Sequence, residues 1–305
     1  MKVILGGYNI DAKTIRELAG DRYSEMTPEI ISASYARISR DPREVSRLRE
    51  EARKDIEKAR RSNQAIVFGL GHSSIAEHAV FNFDVMGMSR LAVEAVEHFR
   101  LASFTEKSQR YIRLGKDFVV PEEIAKSGLK RDFNLLMKRL AESYQLMYES
   151  IRAAGEEDET AKEDARYLMP LSTTAQFGMT VNARELEYMI SRLSSHPLAE
   201  LREFASRLSK SAGSIAPSLV KYPDPTDYFR GMPSVREEIR KTAGGKGASS
   251  KGSGPDAILV DVTPEADIRL AASLIFASTG LGYGESTRQA RKIGKKKRAA
   301  LIAST

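Results

Sequence analysis

The sequence predicts an α+β fold, because short strand patterns alternate with long helical patterns. The segment AVFNFDVMG (79–87) alternates apolar and polar residues, which is typical of a half-buried strand. TTAQFGMTVN (173–182) reads in the same way, and KVILGG (2–7) is a short strand near the start of the chain. Because long helical stretches separate these strands, we expect one α+β domain over residues 1–229.

Helical periodicity marks five segments between the predicted strands. They are residues 41–70, 89–102, 122–155 with an interruption near Gly128, 160–169 before Pro170, and 183–217. The first of these alternates opposite charges at helical spacing, which predicts a long exposed helix.

The C-terminal part of the chain is predicted to be separate from this domain. The stretch GGKGASSKGSGP (244–255) has the composition of a flexible linker, so we place a linker over residues 230–255. Beyond it, residues 256–305 predict a new strand and helix. Their segment PEADIRLAASLIFAS (264–278) is similar to PEIISASYAR (28–37), and we therefore expect 256–305 to be the start of a second, truncated copy of the domain.

Composition excludes several classes of chemistry. The chain of 305 residues contains no cysteine, which rules out disulfides, thiolate metal sites and a cysteine nucleophile.

The net charge of +7 is concentrated in RQARKIGKKKR (288–298), which is either a nucleic-acid patch or a solvated basic helix. No apolar stretch is long enough for a signal peptide or a membrane span, so we expect a cytoplasmic protein with no membrane partner.

Three of the four histidines lie within 27 residues, and the first two stand in GHSSIAEH (71–78). Ser74 and Glu77 have the spacing of a helix capping box, so a helix is predicted to begin there with its first amides facing an anion. The alternative is a capped helix without a ligand. His72 and His78 would lie on different faces of that helix, so no metal site is predicted.

The segment RLASFTEKSQRYIR (100–113) is dense in arginines and hydroxyl groups. Guanidinium groups and hydroxyl donors both reach phosphate oxygens, which suits a phosphorylated ligand. A charged helix end that runs into a loop is the alternative interpretation of the same residues.

These motifs together resemble the flavin-dependent thymidylate synthase family. The family shows G-H-x-[ST]-x-x-E-H, then a strand, then a signature close to R-H-R-x-x-S-x-N-E-x-S-x-R-Y, and the span 71–111 follows this order. DARYLMPLSTTAQFGMTVNAREL (164–186) and SRLSSHPLAELREFA (191–205) match two further blocks. The resemblance covers roughly residues 28–220, and it implies a small, mostly antiparallel sheet flanked by long helices.

The resemblance also implies roles for individual residues. The positions that contact FAD in the family are Ser34, His72, Ser74, Arg100, Glu106, Asn182, Arg184 and His196. The positions that bind dUMP are Ser108, Arg110, Arg166 and Arg192. Of these, Arg192 and Ser108 are the expected catalytic residues.

The implied reaction is the methylation of dUMP. Reduced FAD delivers a hydride, methylenetetrahydrofolate supplies the carbon, and NADPH is the expected reductant. No enzyme nucleophile is required, which agrees with the absence of cysteine. Because the family's sites form where subunits meet, a homo-oligomer is implied, either a tetramer or a dimer of tandem copies.

The signature departs from the family at several positions. His98-Phe99-Arg100 stands in place of R-H-R, Thr105 in place of the usual Asn, and Ala95 in place of a glutamine one turn earlier. Phe99 either stacks on a ligand or packs in the core. These departures keep three alternatives open: an enzyme with another acceptor, a non-catalytic oligomerisation module, and a nucleic-acid-binding protein.

Overall fold

The computed structural model describes residues 1–10, 27–38, 41, 43–115, 117–221, 224–242, 259 and 261–303. The chain divides into two compact units, residues 1–243 and residues 244–305. No helix among the described residues is long and apolar enough to cross a membrane.

The first unit contains a four-stranded sheet with strand order β1-β2-β4-β3. The strands are β1 (Lys2–Tyr8), β2 (Val80–Ser89), β3 (Ala102–Glu106) and β4 (Thr174–Asn182). All three pairings are antiparallel, which confirms the predicted fold class. The three strands predicted from the sequence are present, whereas β3 was not predicted.

Helices surround this sheet. In chain order they are α1 (Glu29–Ile38), α2 (Val45–Lys54), α3 (Ile56–Asn63), α4 (Arg90–Glu97), α5 (Glu122–Lys126), α6 (Lys130–Ala153), α7 (Asp158–Ala165), α8 (Ala183–Ser194), α9 (Ala199–Gly213) and α10 (Asp227–Thr242). The described residues of this unit also form a π-helical turn (Gln64–Gly69) and two 3₁₀ helices (Ser73–His78 and Arg166–Leu168).

The hydrophobic core lies against one face of the sheet. Alternate residues of β2 and β4, such as Phe83 and Met179, point to this face and are buried. They pack with apolar residues of α8 and α9, including Ile190 and Phe204. The opposite face is polar, and there the Asn82 amide donates to the Thr180 hydroxyl at 2.8 Å. The alternation seen in the sequence therefore follows from a sheet with one buried side.

The predicted long helix over residues 41–70 is wrong in its continuity. Asp55 has an extended backbone and breaks the segment into α2 and α3. Its carboxylate accepts a hydrogen bond from the Lys58 amide at 2.8 Å, so it caps the second helix. An aspartate at this position competes with the helical backbone and favours a new N-terminus.

The predicted capping box at Ser74 and Glu77 is also wrong. The helix that begins at Ser73 is a six-residue 3₁₀ helix, and no side-chain hydrogen bond caps it. Glu77 instead forms an ion pair with Arg184 of α8. The Glu77 carboxylate therefore forms a tertiary ion pair with Arg184 instead of the local hydrogen bond of a capping box.

The C-terminal predictions need two further corrections. Helix α10 extends through residue 242, so residues 230–242 are not the predicted flexible linker, and 243–258 lie outside the described residues. The strand predicted after residue 255 is absent from Leu259 and residues 261–263.

The second unit consists of three helices in its described part. They are α11 (Ala266–Ser278), α12 (Tyr283–Lys292) and α13 (Lys295–Ala303). A small core of Ala271, Ala272 and Ala290 joins the first two, and Leu301 of α13 packs against it. Its origin as a second copy of the first unit stays a prediction.

A buried carboxylate joins distant parts of the first unit. Glu29 of α1 is fully buried, and its two carboxylate oxygens accept from the Arg60 guanidinium at 2.7 Å and from the Ser218 amide and hydroxyl at 2.8 and 2.5 Å. The Thr27 hydroxyl also lies within 3.3 Å. Residues that are up to 189 positions apart in sequence are held together by this group.

We expect Glu29→Ala to lower the free energy of unfolding by about 3–5 kcal/mol, because it leaves the Arg60 Nε and the buried Ser218 amide without their acceptor. Chemical denaturation followed by circular dichroism measures this. Glu203→Ala is the matched control, since Glu203 pairs with Arg207 on the exposed face of α9 and its loss should cost less than about 1 kcal/mol. Equal effects of the two substitutions would contradict the role of Glu29.

Candidate functional site

The end of β3 and the loop that follows it form one wall of a cavity of about 300 Å³. Glu106 is the last residue of the strand, and Ser108 follows two residues later. The opposite wall is the start of β4, including Thr173 and Thr174. The structure therefore brings Glu106 and Ser108, two of the residues singled out in the sequence, to the same cavity.

This cavity contains several buried polar atoms without partners. Glu106 Oε1, Thr173 Oγ1 and Thr174 Oγ1 are buried, and none of them has a hydrogen-bond partner among the described residues. All three residues line the cavity. A buried polar oxygen without a partner costs free energy, so their concentration here indicates a place where a polar ligand completes the hydrogen bonding.

A β-bulge shapes the same cavity. The register between β2 and β4 shifts between Met86 and Met88, and Gly87 has a φ of +73°. Glycine adopts this conformation without the strain that a Cβ would introduce. Gly87 thus lines the cavity where the strand bends.

Glu106 is held in an unusual electrostatic environment. Burial raises the pKa of its carboxyl, while Arg90, whose guanidinium lies 2.6 Å from Oε2, acts in the opposite direction. Glu97, which faces the same guanidinium at 3.5 Å, raises the pKa further. One oxygen of Glu106 is therefore fixed by Arg90, and the other is left for a ligand.

Two predicted nucleotide-binding arginines meet at one carboxylate. Arg110 lies 4.0 Å and Arg166 3.6 Å from Glu163 Oε1. Arg166 begins the 3₁₀ helix that follows α7, and its Nε also donates to the Glu163 carbonyl at 3.2 Å. Two guanidinium charges against one carboxylate leave a net positive charge, which favours an anionic group such as a phosphate.

A second group of predicted residues surrounds the start of α8. Asn182 caps this helix by accepting from the Glu185 amide at 2.9 Å. Arg184 follows it and reaches the 3₁₀ helix through Glu77, while His72 and Ser74 at the other end of that 3₁₀ helix are exposed. The ion pair therefore connects these positions on one surface.

Ser34 does not belong to that surface. It is fully buried in α1, and its hydroxyl donates to the Ile31 carbonyl at 2.7 Å. The contact of Ser34 with FAD stays a prediction; in this chain the side chain faces the interior and its hydroxyl is satisfied by its own helix.

A third group lies at the C-terminal end of α8. The Arg192 guanidinium lies over the Phe99 ring at 5.4 Å and donates to the Tyr188 hydroxyl at 3.4 Å. His196 follows two residues after the helix, and burial lowers the pKa of its imidazole, with Arg192 and Arg202 adding to the effect. His196 is therefore a neutral hydrogen-bonding group beside a positive charge at pH 7.

Phe99 and His98, which depart from the family signature, have different surroundings in the structure. Phe99 is only 3% exposed, and it packs edge-on against Tyr188 with ring centroids 5.7 Å apart. His98 points elsewhere, and its Nδ1 lies 2.8 Å from the Glu94 carbonyl. Of the two interpretations of Phe99, core packing is confirmed. Arg100, next in the chain, is exposed.

The predicted site residues are thus distributed over four groups on one chain, with Ser34 and Arg100 outside them, and only parts of the set are brought together. Thr173 and Thr174 were missed as site residues, although their position at the start of a predicted strand was correct. No group of three His, Cys, Asp or Glu side chains with the geometry to hold a metal ion occurs among the described residues.

Comparison with known proteins identifies the family. Residues 23–218 match the model of the family described as thymidylate synthase complementing protein, which is more than half of the chain. The chain belongs to this family, which confirms the resemblance found in the sequence.

Two named relatives illustrate the match. The flavin-dependent thymidylate synthase of Pyrococcus abyssi is 34% identical over 148 residues, which cover 47% of this chain and 58% of that protein. The flavin-dependent thymidylate synthase of Clostridium tetani is 28% identical over 214 residues, covering 65% of this chain and 83% of that protein. The chain thus spans little more than half the length of the archaeal relative.

A solved structure shares the fold. The UMP/dUMP methylase PolB from Streptomyces cacaoi, solved with 5-Br dUMP, superimposes with a TM-score of 0.52 at 21% sequence identity. The superposition covers 72% of this chain and 93% of that one.

We expect Glu106→Gln to gain stability relative to the wild type as pH rises from about 4 to 7. A carboxyl whose pKa is raised on folding binds its proton more tightly in the folded state. The wild type therefore loses the stability of the protonated form as pH rises through the folded pKa, whereas the glutamine cannot lose a proton.

Urea midpoints of the two proteins, compared across this pH range, measure the effect. Glu203→Gln, whose carboxylate pairs with Arg207 on the exposed face of α9, serves as the control. A stability difference between Glu106→Gln and wild type that stays constant with pH would contradict the account.

Proposed function

We propose that the chain transfers a one-carbon unit to dUMP in an FAD-dependent reaction, with methylenetetrahydrofolate as carbon donor and NADPH as reductant. The observation that carries this proposal is the cavity under Glu106 and Ser108, where the family signature meets three buried oxygens without partners. The names of the relatives support it, since they are flavin-dependent thymidylate synthases. The structural neighbour, which was solved with a brominated dUMP, has the same fold.

The nucleotide is proposed to bind along the β3 loop. Arg110 and Arg166 would hold its phosphate, because their two charges are only half neutralised by Glu163. Ser108, whose hydroxyl now accepts from the Arg110 amide at 3.2 Å, has its own O–H available to donate to the nucleotide. Phosphate contacts of this kind position the pyrimidine for reaction.

Arg192 is proposed to act on the pyrimidine ring. Its guanidinium is fixed over Phe99 but remains exposed, and the Tyr188 hydroxyl contact uses only one of its donors. A guanidinium at a pyrimidine carbonyl stabilises the negative charge that develops there when the ring becomes a nucleophile. Arg192 and Ser108 are therefore the proposed catalytic residues.

The residues around the start of α8 fit an FAD pyrophosphate. Arg184 is half exposed beyond its contact with Glu77, and the His72 and Ser74 side chains are exposed on the neighbouring 3₁₀ helix. Cationic and hydroxyl donors are the chemistry that a pyrophosphate needs. The remaining proposed FAD contacts are Ser34, Arg100, Glu106, Asn182 and His196. When bound, FAD supplies the hydride for the reaction.

The separation of these groups on one chain supports a homo-oligomer. We propose that sites are completed where copies meet, in a tetramer or in a dimer of tandem copies. A partner copy would then bring its FAD-binding surface to the nucleotide cavity of the first. We further propose that the reaction takes place in the cytoplasm.

We expect the full chain, supplied with FAD, NADPH, methylenetetrahydrofolate and dUMP, to form dTMP, detected by mass spectrometry. Arg192→Ala should lower kcat about 100-fold or more, because a preorganised donor to the developing charge is lost. Arg207→Ala on the exposed face of α9 is the matched control and should keep wild-type activity.

Three results would each point elsewhere. Flavin retention without any methylated dUMP favours another acceptor, and UMP is the first to test. Loss of flavin altogether favours a non-catalytic module. Binding to nucleic acid that weakens steeply with salt and requires residues 288–298 favours the third alternative.

A further inference from the structure

A second cavity, of about 550 Å³, lies between the C-terminal end of α8 and helix α10. The wall formed by α8 and the residues just after it consists of Tyr188, Arg192 and His196. The second wall, formed by α10, includes Tyr228, Phe229, Met232, Pro233, Arg236, Glu237 and Arg240. The family match ends at residue 218, so the whole second wall lies outside it.

The lining of this cavity is strongly cationic. Arg192 and Arg236 form no ion pair with a carboxylate among the described residues. Glu237, the acid in the lining, already faces Arg240 at 3.3 Å. Burial, followed by the charges of Arg192, Arg202 and Arg236, lowers the pKa of His196, which shows that the positive field reaches the cavity. Such an arrangement attracts an anionic group.

The same cavity also has aromatic walls. Tyr188 and Phe229 lie 5.8 Å apart between ring centroids, and Phe229 and Tyr228 lie 5.4 Å apart. Tyr188 is 42% and Tyr228 69% exposed, so part of each ring is free to pack against a ligand. Aromatic side chains in this position favour a flat ring system over an inorganic anion.

We propose that α10 adds a second anion-binding wall to the active site, and that this cavity takes an aromatic ligand carrying a carboxylate or phosphate. Arg236 holds the anionic group, and Tyr188 and Tyr228 pack against the rings. Arg236 is then a binding residue that the family motifs do not include.

This inference rests on the proposed function for the identity of the ligand. Two substrates of that reaction have the required chemistry: a reduced folate, with its pterin ring and glutamate carboxylates, and dUMP, with its pyrimidine ring and phosphate. Because Arg110 and Arg166 are proposed to hold the phosphate of dUMP elsewhere, a reduced folate is the expected occupant.

Isothermal titration of the full chain, loaded with FAD, tests the inference with two probes: dUMP alone, and tetrahydrofolate in the presence of dUMP. Arg236→Ala should weaken the binding of one probe about tenfold or more, because a charge-assisted hydrogen bond is lost. Arg236→Lys, which keeps the charge, should lose less. Arg230→Ala is the matched control on α10, since Arg230 pairs with Asp227 and does not line the cavity.

Weaker tetrahydrofolate binding in Arg236→Ala assigns the cavity to the folate, and weaker dUMP binding assigns it to the nucleotide. Either result supports the inference. Binding by Arg236→Ala equal to that of Arg230→Ala for both probes overturns it, as does a wild type that binds neither probe.

Failure of the proposed function has a different signature, because the wild type would then form no dTMP even where both probes bind. Circular dichroism of each variant shows whether its helices are retained. Arg236 is exposed, so its substitution leaves the core intact.

Discussion

The pairing of β4 with both of its neighbours is the constraint on which the rest of the structure depends. β4 lies between β2 and β3, so its register fixes the whole sheet. Its first residue, Thr174, is opposite Ser89, and its Phe177 is opposite Glu106. Its last residue, Asn182, caps α8. A register change of one residue would turn the core face of the strand to solvent and move both ends of the candidate site.

The two ends of β4 have different chemical surroundings. At its start, buried oxygens without partners line a cavity beside the family signature. At its end, α8 begins with Arg184 and ends near Arg192, so one helix carries residues proposed for the flavin and for the pyrimidine. Arg184 and Arg192 stand near opposite ends of this helix.

The altered signature changes packing more than charge in this chain. A histidine at position 99 would have had to find polar partners inside the core, whereas Phe99 packs there against Tyr188 and supports the Arg192 guanidinium. The positive charge lost at position 98 is not replaced locally, since His98 contacts its own helix. Arg192 and Arg236 of α10 instead place positive charge at the cavity beside α8.

Much of the fold was predictable, because its strands and helices have strong periodicity. The interruption predicted near Gly128 is present between α5 and α6, where Gly128 has a φ of +80°. β3 was missed because its five residues lie at an edge, within a segment whose arginines and hydroxyl groups suggested a binding loop. The break at Asp55 depends on one capping hydrogen bond, which charge periodicity does not reveal.

The site was less predictable than the fold, for physical reasons. Motif spacing singled out Glu106 and Ser108, whereas the full burial of Ser34 could not be predicted, because no local pattern indicates burial in a helix of small residues. Thr173 and Thr174 could be recognised only from the strand pairing, which places Thr174 opposite Ser89 and Thr173 opposite Phe118. The contribution of α10 depends on a tertiary contact between Phe229 and Tyr188, which no sequence pattern specifies.

The most direct test of the central claim is the visible absorption spectrum of the purified full chain after incubation with FAD and removal of the excess, with and without dUMP. The account predicts a protein-bound flavin band at about 450 nm that changes when dUMP is added, because the nucleotide binds beside the cofactor. A protein that retains no flavin, or a bound flavin whose spectrum does not respond to dUMP, would contradict it.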